Sequence, residues 1–129
     1  MGHLESLEDF LLITFGAFLG ANSRFIIYKK FEEINLSKNY ITLLINTFSS
    51  FTLGFFLSIL THAGYSSYSY KLVLLFSIGL LGSFSTFSTF IYDLFELCIK
   101  LNFFKALRLF FISLISGIIF FAFGFLLGK

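Results

Sequence analysis

The sequence predicts an all-α membrane protein built from four transmembrane helices. Three observations carry this prediction. Hydrophobic residues make up 57% of the chain and charged residues 12%, whereas a soluble domain carries roughly 25% charge. The chain has 129 residues, too few to hide that much apolar surface in a water-exposed globule. Its charges also divide it into four apolar segments, each near the roughly 20 residues needed to cross a bilayer.

The four spans form one transmembrane domain covering residues 1–129. The first runs over 10–28 and is interrupted only by Arg24. The second covers about 40–61, the third 72–92 and the fourth 109–128. Backbone groups in lipid must be paired within their own segment, so each span is a helix. The connections are short: "KKFEEINLSKN", "HAGYSSYSYK" and a helix-like "DLFELCIKLNFFKALR". Any function therefore resides within or between the helices. The N-terminal "MGHLESLEDF" lacks the basic region of a secretory signal, so no cleavage is expected. Cys98 is the single cysteine and cannot form an internal disulfide.

Four spans put both termini on one side. The first and third connections, with the span ends beside them, hold Arg24, Lys29, Lys30, Lys38, Lys100, Lys105 and Arg108, which is seven of the nine Lys and Arg. Lys71 and Lys129 lie on the other side. The positive-inside rule places the basic connections in the cytoplasm and both termini outside. No extended basic surface remains for nucleic acid.

Polar groups inside the spans are where function is sought. In the first span, "GAFLGANSRF" sets Gly16 and Gly20 four apart, a spacing that lets another helix approach closely. Arg24 follows one turn later. It reads either as an arginine reaching to the headgroups or as an anion attractor at a pore mouth. In the second span, Thr42, Asn46, Ser49 and Ser50 form one stripe. The Asn46 amide must find a partner in hydrocarbon. It reads as interhelical glue or as a donor to an anion.

The third span contains "LGSFSTFSTF" at 81–90. On a continuous helix Ser85, Ser88 and Thr89 share a face, and Phe84, Phe87 and Phe90 share the next. A serine–threonine packing seam beside a phenylalanine core is one reading. The other starts from "GSFST", which is dense in residues that stabilise non-helical turns. In a chain without proline it is the expected site of a helix break near Gly82–Thr86. A break frees carbonyls for a cation, and the positive edge of a phenyl ring can hold an anion without a full charge nearby. In the fourth span Ser113 and Gly117 form another close-approach seam.

Several functions are disfavoured. No carboxylate lies between Phe10 and Tyr28 or between Leu72 and Tyr92, which counts against a small multidrug-type exporter, the alternative reading. His3, His62 and Cys98 are too scattered for a metal cluster. No base sits within a span to activate a serine or threonine, so an enzyme is not expected.

The same residues resemble a known family. "GSFSTFSTF" resembles the "GG-x-TTFSTF" signature of the CrcB/Fluc fluoride channels. "TLLINTFSSFTLGF" resembles the second-helix motif of that family, and "GAFLGANSRF" its first-helix motif. The resemblance implies an antiparallel, dual-topology dimer with two pores in a bacterial plasma membrane, passing F⁻ passively down its gradient. It implies a structural, non-transported Na⁺ at the dimer interface, held by the backbone carbonyls of Gly82 and Ser85 and their counterparts. It makes Phe87 and Phe90 the family's phenylalanine pair and Asn46 the pore amide, with Thr42 one turn before. Ser88, Thr89 and Ser113 would line the ion path, and Arg24 would sit near the vestibule.

The chain also departs from the pattern. Ser83 replaces a glycine, Ser85 a threonine, and Leu109 stands where a tyrosine is common. The seven-to-two charge bias is unbalanced for a chain that inserts both ways. It points to a preferred orientation and to an oppositely biased homologue as partner. A non-conducting half of a heterodimeric assembly is the third reading.

Overall fold

The computed structural model describes residues 2–64 and 66–129, so Tyr65 in the second connection lies outside the described residues. Helix α1 spans Gly2–Glu32 and α2 spans Lys38–Ala63. The third span is composite: α3 (Ser67–Leu72), a π-helix (Val73–Leu81), α4 (Gly82–Phe84) and α5 (Phe87–Ile99). Helix α6 covers Phe103–Leu127. Four helical spans are long and apolar enough to cross a membrane, and no strand occurs among the described residues. The chain is a multi-pass membrane protein.

Helices α1, α2 and α5 run a few residues past their apolar segments. The stops are local. The chain leaves α1 through Asn35, at φ 59°, a left-handed conformation that asparagine tolerates. Gly64, at φ 83°, follows the end of α2. Leu101, also left-handed at φ 57°, makes the turn between α5 and α6.

Short connections make sequential helices neighbours, yet the closest partners alternate along the chain. Helix α1 packs along the third span, and α2 along α6. Both pairs run parallel. The first is joined by Lys71–Glu8 at 2.7 Å at one end and by Arg24 against Ser85 further along. The second runs from Thr47 against Ser116 to Ser58 against Gly128. Small residues make this possible. A Cβ on Gly54 would collide with the Phe121 carbonyl, and one on Gly124 with the Phe51 carbonyl. The two backbones are therefore in direct contact, as small-xxx-small seams permit.

Few apolar residues are buried, and one cluster of them gathers where α1, α2 and the third span meet. Ile41, Ile45 and Phe84 are buried, with Ile27, Tyr28, Phe31 and Leu36 packed around them. Most remaining Phe, Leu and Ile side chains point outward. In water such a surface would drive aggregation; in a bilayer it is the solvent-facing side.

Candidate ion path at the bend of the third span

The third span departs from helical dihedrals at two residues. Ser85 has φ −67° and ψ 155°, and Thr86 has φ −141° and ψ 116°. Both are extended. Two residues of extended chain shift the helical phase, so Phe84 and Phe87 no longer share a face. Phe84 turns inward and meets Phe48 edge-on, with centroids 6.2 Å apart. Phe87 turns outward and is 75% exposed. It stays beside Phe90, at 6.3 Å, and Phe90 stacks on Phe110 of α6 at 6.4 Å. The continuous three-phenylalanine stripe expected for an unbroken helix is thus replaced by a pair, Phe87 and Phe90. Ser85 likewise leaves the face of Ser88 and Thr89.

Asn46 holds the bend. Its Oδ1 accepts the Thr86 N–H at 2.8 Å, and its Nδ2 donates to the Thr86 carbonyl at 3.0 Å. The amide mimics a strand partner for one extended residue. Because Thr86 offers one donor and one acceptor, the amide can be oriented only this way. Thr86 is buried, at 4% exposure, so its backbone has no water to turn to. Its side chain caps α5: Oγ1 accepts the Thr89 N–H at 3.2 Å and donates to the Thr89 hydroxyl at 2.9 Å.

Carbonyls around the bend change partners. The α-helical donor for the Gly82 carbonyl would be the Thr86 N–H, and that proton goes to Asn46 instead. The Ser85 carbonyl accepts a long contact from Arg24 Nη1 at 3.5 Å and keeps its second lone pair. Gly82, Ser85, Thr86 and Phe87 border an open cleft of about 290 Å³ with Asn46, Ser49, Ser50 and Ser77. The hydroxyls of Ser49 and Ser77 are buried without a hydrogen-bond partner. Among the described residues no group of three His, Cys, Asp or Glu could hold a metal.

A second polar cluster lies where α1, α2 and α5 meet. Thr42, only 2% exposed, donates to the Lys38 carbonyl at 3.0 Å and sits 2.6 Å from the Tyr28 hydroxyl. The Thr42 hydroxyl also faces the carboxylate of Asp93. Asp93 is 3% exposed and its Oδ2 makes no hydrogen bond. The sequence reading ended the third span before Asp93 and passed over it. Helix α5 continues to Ile99, and Asp93 lies seven residues after Thr86 and four after Thr89, on their face. That spacing was the available signal.

The predicted site residues fall into groups. Asn46, Gly82 and Ser85 lie at the bend, with Arg24 beside Ser85 and with Thr86, which was not among the predicted site residues, as the partner of Asn46. Thr42 and Thr89 belong to the Tyr28 cluster. Phe87 and Phe90 flank α6 through Phe110. Ser88 is exposed next to Phe87. Ser113 is linked less directly: its carbonyl accepts the Ser116 hydroxyl at 3.2 Å, and Ser116 meets Thr47 at 3.3 Å. Leu109 borders a separate cleft with Tyr40, Lys105 and Arg108.

The family profile described as CrcB-like protein, Camphor Resistance (CrcB), matches residues 11–125. The chain belongs to the CrcB family. One CrcB relative, fluoride-specific ion channel FluC 2 of Prochlorococcus marinus (strain NATL2A), is 54% identical over 122 residues, covering 95% of this chain and 98% of the relative. Fluoride-specific ion channel FluC 1 of Parasynechococcus marenigrum (strain WH8102) is 36% identical, with 95% of each chain covered. Fluoride-specific ion channel FluC of Thermosipho melanesiensis is 35% identical over 93% of this chain and 95% of its own. The CrcB match takes in the first-helix glycines, Asn46, the bend and most of α6.

Proposed function

We propose that this chain is a fluoride-specific channel that passes F⁻ passively down its gradient and lowers cytoplasmic fluoride. The observation that carries the reading is the 54% identity, nearly end to end, with a relative named for that activity. The bend adds physical support. Fluoride needs hydrogen-bond donors and positive ring edges that hold it weakly enough to leave. Asn46 retains one uncommitted amide proton, and Phe87 and Phe90 present adjacent rings. Ser88, Thr89, Thr42, Ser113 and Arg24 complete the path in this reading, Arg24 drawing anions to its mouth.

The working unit is an antiparallel dimer in a bacterial plasma membrane. The third span is a broken helix in functional terms, and the carbonyls of Gly82 and Ser85 would hold a structural Na⁺ where two copies meet. Oxygen donors suit a hard cation, and the freed Gly82 carbonyl fits that role. Two carbonyls are too few for one ion, so the partner supplies the rest. The seven-to-two charge bias favours a partner of opposite bias. No carboxylate sits in the first span to couple protons to export, which counts against the exporter reading.

Fluoride sensitivity tests this directly. Expression in a bacterium stripped of its own fluoride defence should restore growth in millimolar fluoride. Unchanged sensitivity, with the protein folded in the membrane alone and alongside its nearest homologue, would sink the reading. Phe87→Ile should lower fluoride flux more than tenfold, since an aliphatic side chain has no positive edge. Its melting temperature should not move, because Phe87 is mostly exposed. Flux equal to that of the unaltered chain would remove Phe87 from the path.

A further inference from the structure

The protons in the Tyr28 cluster can be counted. Thr86 spends its hydroxyl proton on Thr89. Thr42 has one hydroxyl proton, directed at the Lys38 carbonyl or the Asp93 carboxylate. In the 2.6 Å contact between Thr42 and Tyr28 either oxygen can donate; with the Thr42 proton on the Lys38 carbonyl, the phenol is the donor. Its acceptor, Thr42 Oγ1, is held in place by other bonds and does not depend on it. The hydroxyl of Thr89 lies within hydrogen-bonding reach of the same phenol, and the charges of Asp93 and Arg24 act on it through space. Tyr28 thus carries a half-buried hydrogen-bond donor that can exchange its acceptor, within the field of the Arg24 charge. A phenol is also a stronger acid than an alcohol and a stronger donor to a small anion.

We propose that Tyr28 is an anion-binding residue, whose O–H turns from Thr42 to a small hard anion passing between Thr42 and Thr89. This rests on the channel reading above and adds to it a donor from the first helix, which the sequence motifs leave out. Binding needs no proton transfer. The O–H keeps its proton and exchanges one acceptor, the threonine oxygen, for the anion. The anion's place between Thr42 and Thr89 is on the Tyr28 side of α5.

Two measurements test the proposal. The chain has no tryptophan and six tyrosines, so its near-ultraviolet absorption reports tyrosine. Titrating the purified, reconstituted protein with sodium fluoride, against sodium chloride, should give a saturable red shift that Tyr28→Phe removes. In liposomes, Tyr28→Phe should raise the half-saturating fluoride concentration roughly tenfold, the size expected for one hydrogen bond to a charged group. Its melting temperature should stay near that of the unaltered chain. A brace and a ligand are separated by Thr42→Val. If Tyr28 only positions Thr42, adding Tyr28→Phe to Thr42→Val changes nothing further; if Tyr28 meets the anion, the effect persists. No fluoride-specific spectral shift, or a half-saturation unaltered by Tyr28→Phe in a conducting protein, overturns the Tyr28 assignment and leaves the channel reading standing. A chain that moves no fluoride in any pairing overturns both.

Discussion

Replacing Asn46 by Ala is expected to abolish fluoride flux and to lower the melting temperature together. The amide pairs with both backbone groups of Thr86, at 2.8 and 3.0 Å. Alanine leaves a buried N–H and a buried carbonyl without partners, at about 1–3 kcal/mol each. Membrane insertion changes the reference state and trims such values, but two groups are lost in one step. The bend then has no reason to persist, and the third span is free to close into continuous helix. Phe87 would swing back toward the phase of Phe84, and the polar cleft would lose its wall. Asn46→Asp sharpens the test. Aspartate still accepts the Thr86 N–H, yet sets a second oxygen against the Thr86 carbonyl and a negative charge in the anion's path. Flux should fall at least as far as in Asn46→Ala. Thermal melting followed by circular dichroism, alongside liposome flux, checks both. A stable Asn46→Ala protein with unaltered flux would show that the amide holds nothing.

The second large effect is expected at Gly54 and Gly124. Each faces the other helix's backbone: Gly54 the Phe121 carbonyl, and Gly124 the Phe51 carbonyl. No side-chain rearrangement can make room, since the obstacle is main chain on both sides. Gly54→Ala or Gly124→Ala must push α2 and α6 apart, at about 1–3 kcal/mol for overpacking. Separation also undoes the Thr47–Ser116 contact further along the seam. The double variant should cost less than the sum of the two singles, because the first methyl already opens the seam. Melting curves of the three variants in detergent check this. Additive losses would mean that the two contacts yield independently.

Much of this architecture was legible in the sequence. Four apolar segments separated by charges gave four spans, because lipid leaves a polar backbone few alternatives. "GSFST" marked the place where helical dihedrals fail, through residues that bond their own backbone. Asn46 was legible as a residue that needs a partner. Its partner, the Thr86 backbone, was not, because an amide can bond any group that comes near, and forty residues separate the two. Of the two readings of Asn46, the structure shows the interhelical bond, to the Thr86 backbone, and the anion donor is part of the proposal. The pairing of α1 with the third span had a trace in Gly16 and Gly20; for α6 the expected seam was Ser113 and Gly117, whereas the tight contacts with α2 fall at Gly54 and Gly124. Glycine spacing marks a close approach without saying to which helix. The π-helix at Val73–Leu81 left no trace, because nothing in "VLLFSIGLL" distinguishes one helical hydrogen-bond pattern from another. Asp93 was misjudged by treating the first charge after an apolar run as its end. Its face is set by Thr86 and Thr89, not by its charge.

The central claim is that this chain conducts fluoride selectively through a path that depends on the bend. The most direct measurement is efflux from liposomes holding the purified protein, read with a fluoride electrode beside a chloride electrode, for the unaltered chain and for Asn46→Ala. Rapid fluoride loss, no chloride loss, and silence in Asn46→Ala is the predicted result. Equal loss of both anions, or no fluoride loss even after co-expression with an oppositely biased homologue, would contradict it.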